Sequence, residues 1–115
     1  MSLTNKLKDK TTDQLMKAVL SLETVEDCYN FFEDISTISE LKSMAQRLEV
    51  ARLLDNGEVY EQIVKTTRAS TATIARVKRC LVYGADGYTN VLNNLKLLEA
   101  KEKEEQKEEQ KEEEI

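Results

Sequence analysis

Apolar residues recur along this chain at intervals of three and four, the spacing that gathers them on one face of an α-helix. Leu15, Met16, Val19, Leu20 and Leu22 make the first stripe, behind Thr12 and Asp13, either of which can cap a helix. Thr24 opens the next segment and, with Asp27 three residues on, has the form of a capping box. Val25, Cys28, Tyr29, Phe32 and Ile35 then share a face. Ser39 is the expected cap of a longer helix through Leu41, Met44, Ala45, Leu48, Ala51 and Leu54. Val50 and Leu53 give that helix a second apolar side, so it is expected to be surrounded. Asp55-Asn56-Gly57 ends it with residues that tolerate the left-handed conformation.

Two short helices follow, over 59–67 and 71–82, with only three residues between them. Gly84 and Gly87 bracket a turn, and Tyr88, Val91, Leu92, Leu95 and Leu98 mark a last helix. No alternating strand pattern occurs, proline is absent and there are 3 glycines, so the expected fold is all-α.

The 115 residues suit one domain, read as an N-terminal arm over 1–11, a helical body over 12–98 and a charged tail over 99–115. Nine of the tail's residues are acidic and four are lysine, a net charge of −5, which is the whole formal charge of the protein. The tail is expected to be a solvated, fraying helix or disordered. Residues 1–98 balance, with thirteen basic against thirteen acidic side chains. The acidic pI near 4.9 therefore says nothing against an anionic partner for the body.

No run approaches the roughly 20 apolar residues of a membrane span, and no signal-peptide pattern opens the chain. Cys28 and Cys80 lie inside apolar patterns and are expected to be buried, reduced thiols of a cytoplasmic, nucleoid-associated protein. Histidine is absent, which removes the commonest general base and leaves no zinc set. The expectation is no enzyme, no catalytic residue, no metal and no cofactor.

The informative stretch is Val59 to Arg79. Ile63 and Thr67 on the first short helix are expected to face Ile74, Val77 and Leu81 on the second, with the small Ala69 letting the two cross closely. A three-residue turn between short helices is the size of a helix-turn-helix. Ser70 suits the cap of the second helix, whose first-turn amides can then meet a phosphate. Thr71, Ala72 and Ala75 leave a small polar face that can enter a major groove and touch thymine methyls. Between 60 and 83 there are five basic residues (Lys65, Arg68, Arg76, Lys78 and Arg79) against Glu61, a local charge of +4. The candidate DNA-binding residues are thus Lys65, Arg68, Ser70, Thr71, Ala72, Thr73, Ala75, Arg76, Lys78 and Arg79. An ordinary helical hairpin with a solvated basic face would have the same spacing, and Arg47 and Arg52 read by themselves as surface or ion-paired side chains.

Met44-Ala45-Gln46-Arg47-Leu48-Glu49-Val50-Ala51-Arg52-Leu53-Leu54, then Gly57, then Ala69-Ser70-Thr71-Ala72-Thr73-Ile74-Ala75-Arg76-Val77-Lys78-Arg79-Cys80-Leu81, resembles the Trp repressor superfamily and its YerC/YecD-like branch. The likeness spans about residues 10 to 96 and leaves out the tail. It implies an intertwined, all-helical homodimer with a helix-turn-helix on each chain, set about one DNA turn apart on a roughly palindromic operator. Stripes on several short helices, more than one small body readily buries, agree with that.

In the tryptophan-responsive members two arginines flank the ligand, and they fall on Arg47 and Arg76, with Thr37 also retained. These three are the candidate effector-binding residues. The pocket-closing loop departs from the family pattern, because Asp34 and Ser36 stand where leucines are expected, and an acidic residue there would repel a ligand carboxylate or point away from it. Arg68 also replaces the usual glycine of the turn. The resemblance thus implies a sequence-specific regulator of double-stranded DNA, a repressor that occupies its operator. A repressor responsive to tryptophan or another small molecule, and a protein-interaction module acting through the charged tail, are the alternatives.

Overall fold

The computed structural model describes residues 8–113, and among them every regular element is a helix. Residues 1–7 of the expected arm, and the last two of the tail, lie outside the described residues. The helices are α1 (Lys10–Leu20), α2 (Val25–Ile35), α3 (Ile38–Asp55), α4 (Tyr60–Thr67), α5 (Thr71–Tyr83) and α6 (Gly87–Glu113). They fall into two compact units, with α1 to α5 in the first and α6 in the second.

Capping chemistry sets the boundaries. Asp9, rather than Thr12 or Asp13, caps α1: its Oδ1 accepts from the Thr12 amide at 2.7 Å, which holds the Asp9 carboxyl below its usual range. At α2 the expected box is present, with Asp27 N donating to Thr24 Oγ1 and Thr24 N to Asp27 Oδ2. The third cap differs from expectation. Thr37, two residues before Ser39, caps α3 and forms a second reciprocal box with Glu40. The bond from the Thr37 amide also lowers the Glu40 carboxyl from its ordinary value. A box satisfies two backbone donors where Ser39 alone would satisfy one.

The core of the first unit is built from α3, α4 and α5. Val50, Ala51 and Leu53 of α3, Ile63 of α4, Ala69 of the turn, and Ile74 and Val77 of α5 are buried. On α3 the buried side is therefore the Val50–Leu53 side together with Ala51. Leu41, Leu48 and Leu54 stay half-buried, and Met44 and Ala45 are exposed. Apolar and polar residues are mixed on every side of α3, so its own pattern does not say which side faces the core.

α1 and α2 contribute no buried residue, although each carries a clear apolar stripe. Val25 is 74% exposed, Tyr29 67% and, at the start of α3, Ile38 80%. An open apolar groove of about 370 Å³ runs between Val25, Cys28, Tyr29 and Phe32 of α2 and Leu41, Lys42 and Ala45 of α3.

The cysteines depart from expectation, since Cys28 is half-buried and Cys80 exposed. Cys80 sits about a quarter turn away from the Ile74–Val77–Leu81 stripe of α5. At the end of α5, Gly84 meets a steric demand, because a Cβ there would collide with the Cys80 carbonyl. The left-handed residue of this turn is Asp86 (φ 64°), not a glycine. In the second unit, α6 runs unbroken through the charged segment to Glu113, and from Lys96 onward its described side chains are exposed.

Candidate nucleic-acid interface

α4 and α5 are joined by Arg68, Ala69 and Ser70, the three-residue connection expected, and each link of it is hydrogen-bonded. Thr67 Oγ1 donates back to the Ile63 carbonyl at 2.7 Å and accepts from the Ala69 amide at 3.1 Å. Arg68 N donates to the Val64 carbonyl at 2.8 Å. Ser70 Oγ accepts from Thr73 N at 3.1 Å and donates to Thr73 Oγ1 at 3.0 Å. The hydroxyls of Ser70 and Thr73 are thereby used within the helix start, while the Thr71 and Ala72 amides belong to its first turn and suit an anion.

A third helix braces this turn. Gln46 of α3, half-buried, donates its Nε2 to the Thr67 carbonyl at 3.1 Å. That carbonyl belongs to the last turn of α4, which has no intrahelical partner for it. Gln46 escaped the sequence reading, although a glutamine inside an apolar helical pattern was a visible signal.

Arg68 sits at φ 61°, ψ 16°, the left-handed region. The turn thus keeps the geometry that a glycine would supply and accepts the strain of a side chain, of order 1 kcal/mol. Arg68→Gly is expected to raise stability by about 0.5 kcal/mol, since strain relief is partly offset by the greater freedom of the unfolded chain. Urea unfolding checks this; a loss of stability would contradict it.

One solvent-facing surface of α5 carries Thr71, Ala72, Ala75, Arg76 and Arg79, all exposed, with exposed Lys78 nearer the α4 side. Lys65 and Arg68 are exposed on α4 and the turn. Lys65 has Glu61 one turn away at 3.8 Å, a solvent-exposed pair of little energetic weight. The Lys78 ammonium lies over the Tyr60 ring, 5.4 Å from its centroid. The small side chains thus stand at the centre of a positive rim, a shape and charge suited to a groove between two phosphate backbones.

The three candidate effector residues are arranged differently. The Thr37 hydroxyl is held in the α3 capping box, accepting from the Glu40 amide at 3.1 Å. Arg47 Nη1 donates to Ser43 Oγ at 3.1 Å, and an open groove beside them is lined by Ser39, Glu40, Ser43, Met44 and Arg47. Arg76 is not part of that lining. The Glu40 carboxylate there makes a poor neighbour for a ligand carboxylate. Arg52 is held by Glu49, its Nε donating at 3.0 Å, and this bond lowers the Glu49 carboxyl. Among the described residues no cluster of potential metal ligands occurs, and no helix is long and apolar enough to cross a membrane.

The fold and this surface define an all-helical protein of the helix-turn-helix class. The Trp repressor protein family profile matches residues 10–96, and the chain belongs to that family. It is 53% identical over 97 residues to the uncharacterized protein YerC of Bacillus subtilis, covering 84% of this chain and 93% of that one. Two solved structures share the fold. One is a TrpR-like protein from Eubacterium eligens, with TM-score 0.76 and 49% identity over 79% of this chain and 94% of that one. The other, from Staphylococcus aureus, was described as a candidate Trp repressor, with TM-score 0.79 and 44% identity over 84% and 95% of the two chains. These likenesses support a helix-turn-helix regulator in general terms and place the chain in a regulator family rather than an enzymatic one.

Proposed function

We propose that the protein is a sequence-specific, double-stranded DNA-binding repressor that inserts α5 into the major groove and acts as a homodimer at a roughly palindromic operator. The observation that carries this is the exposed face of α5, where Thr71, Ala72 and Ala75 are flanked by Arg76 and Arg79 beyond an αL turn braced from α3. Small side chains let the helix approach the base edges, and the cations answer the phosphates on either side.

The dimer rests on the unused apolar faces of α2 and of the start of α3. A lone chain would leave Val25, Tyr29, Ile35 and Ile38 in water, whereas a second copy laid along the grooves of α2 and α3 would cover them. Two-fold symmetry then presents two recognition helices about 34 Å apart, one turn of duplex. Operator occupancy is sufficient for repression without an effector, leaving Arg76 to the phosphates. The setting is cytoplasmic, on the nucleoid.

Selection of bound fragments from random duplexes tests the reading. The expected result is an enriched palindrome whose sequence changes when Thr71 or Ala72 is replaced, with the same enrichment whether or not tryptophan is present. Truncation after Leu98 should leave binding intact or tighten it, because the tail and the phosphates repel. Loss of binding on truncation would instead make the tail the functional part.

A further inference from the structure

The contact between Tyr60 and Lys78 joins the first residue of α4 to the middle of α5. Tyr60 is 36% exposed, so its ring is a partly embedded platform with few rotatable bonds, whereas a free lysine loses considerable rotamer freedom when it is held at one point. A ring face orders an ammonium without neutralising it and leaves the N–H donors that point away from the ring to meet a phosphate. The contrast is Lys65, whose neighbour is the Glu61 carboxylate at 3.8 Å, which cancels charge at that point on the surface.

We propose that Tyr60 is a positioning residue that holds the Lys78 ammonium over its ring, 5.4 Å from the centroid, ready to donate to a DNA phosphate at the α4 edge of the recognition helix. This rests on the DNA-binding reading and adds a residue to it. Tyr60 acts through Lys78, and the ring rather than the phenol hydroxyl does so.

A double-mutant cycle on the full chain, read as affinity for a selected duplex, tests it. Tyr60→Phe should bind within about twofold of the unaltered protein, because the ring is kept. Tyr60→Leu should weaken binding about two- to fivefold, the effect expected of an exposed cation–π contact. Lys78→Ala should weaken binding and lower the slope of log affinity against log salt by about one. In the Lys78→Ala background, Tyr60→Leu should have almost no further effect.

An equal effect of Tyr60→Leu in both backgrounds would overturn the positioning role, making Tyr60 merely structural. A loss with Tyr60→Phe as large as with Tyr60→Leu would overturn it too, by assigning the contact to the hydroxyl. Failure of the unaltered protein to bind any duplex would overturn the DNA reading itself, whereas binding without coupling would overturn only the role of Tyr60.

Discussion

Ile74→Ala is expected to destabilise the protein by about 3 kcal/mol, within the range for deleting a large buried aliphatic side chain. Ile74 is fully buried where α5 packs on α3 and α4, so its loss removes apolar burial and leaves a void between the three helices. Domains of this size have only about 5–15 kcal/mol in hand, so the variant should unfold at much lower urea. Ile74 and Val77 are the share of α5 in that core. DNA binding should therefore weaken with stability, although Ile74 itself faces inward. Cys80→Ala, on the exposed side of the same helix, should change stability by less than about 0.5 kcal/mol. Urea unfolding of the two variants at one protein concentration makes the comparison. A cost below about 1 kcal/mol at Ile74 would mean that α5 is not held on this core.

Tyr29→Glu is expected to have an effect out of proportion to the exposure of Tyr29 in the single chain. At 67% exposed in a monomer, the substitution would fall within about 0.5 kcal/mol of neutral. If the α2 face is covered by a second copy, the same change places a carboxylate in an apolar interface. Such a group has no partner there and costs several kcal/mol. Sedimentation at micromolar concentration should show a dimer for the unaltered protein, and monomer or unfolded chain for Tyr29→Glu. A variant that sediments like its parent and melts at the same temperature would remove the α2 face from any interface.

The helical period of the apolar residues was enough to read an all-α chain and to place both helices of the helix-turn-helix within one residue of their ends. The exposed face of α5 was legible for the same reason, because Ile74 and Val77 point the stripe inward and leave Thr71, Ala72, Ala75, Arg76 and Arg79 outside. Caps were harder where polar residues crowd together. Asp9, Thr11, Thr12 and Asp13 all suit a helix start, and only the fold chooses Asp9. At α3, Thr37 and Glu40 have the box spacing that Ser39 lacks, and the box decides the cap. α3 is apolar on several sides, so the choice of Val50, Ala51 and Leu53 depends on where α5 lies. A glutamine inside an apolar pattern marks Gln46, but its partner Thr67, like the pairing of Tyr60 with Lys78, is set by the fold and not by any local period.

The charge distribution gives the most direct test of the whole reading. The body is balanced, with +4 concentrated between residues 60 and 83, so binding to duplex DNA must release counterions and weaken steeply as salt rises. Affinity for a selected duplex, measured from about 50 to 200 mM salt, should fall along a straight line on logarithmic axes, with a slope reflecting several phosphates. Arg79→Ala should bind more weakly and along a shallower line, by about one unit of slope. Binding that ignores salt over this range, or an Arg79→Ala line superimposed on that of the unaltered protein, would contradict the assignment of α5 as the DNA-contacting helix.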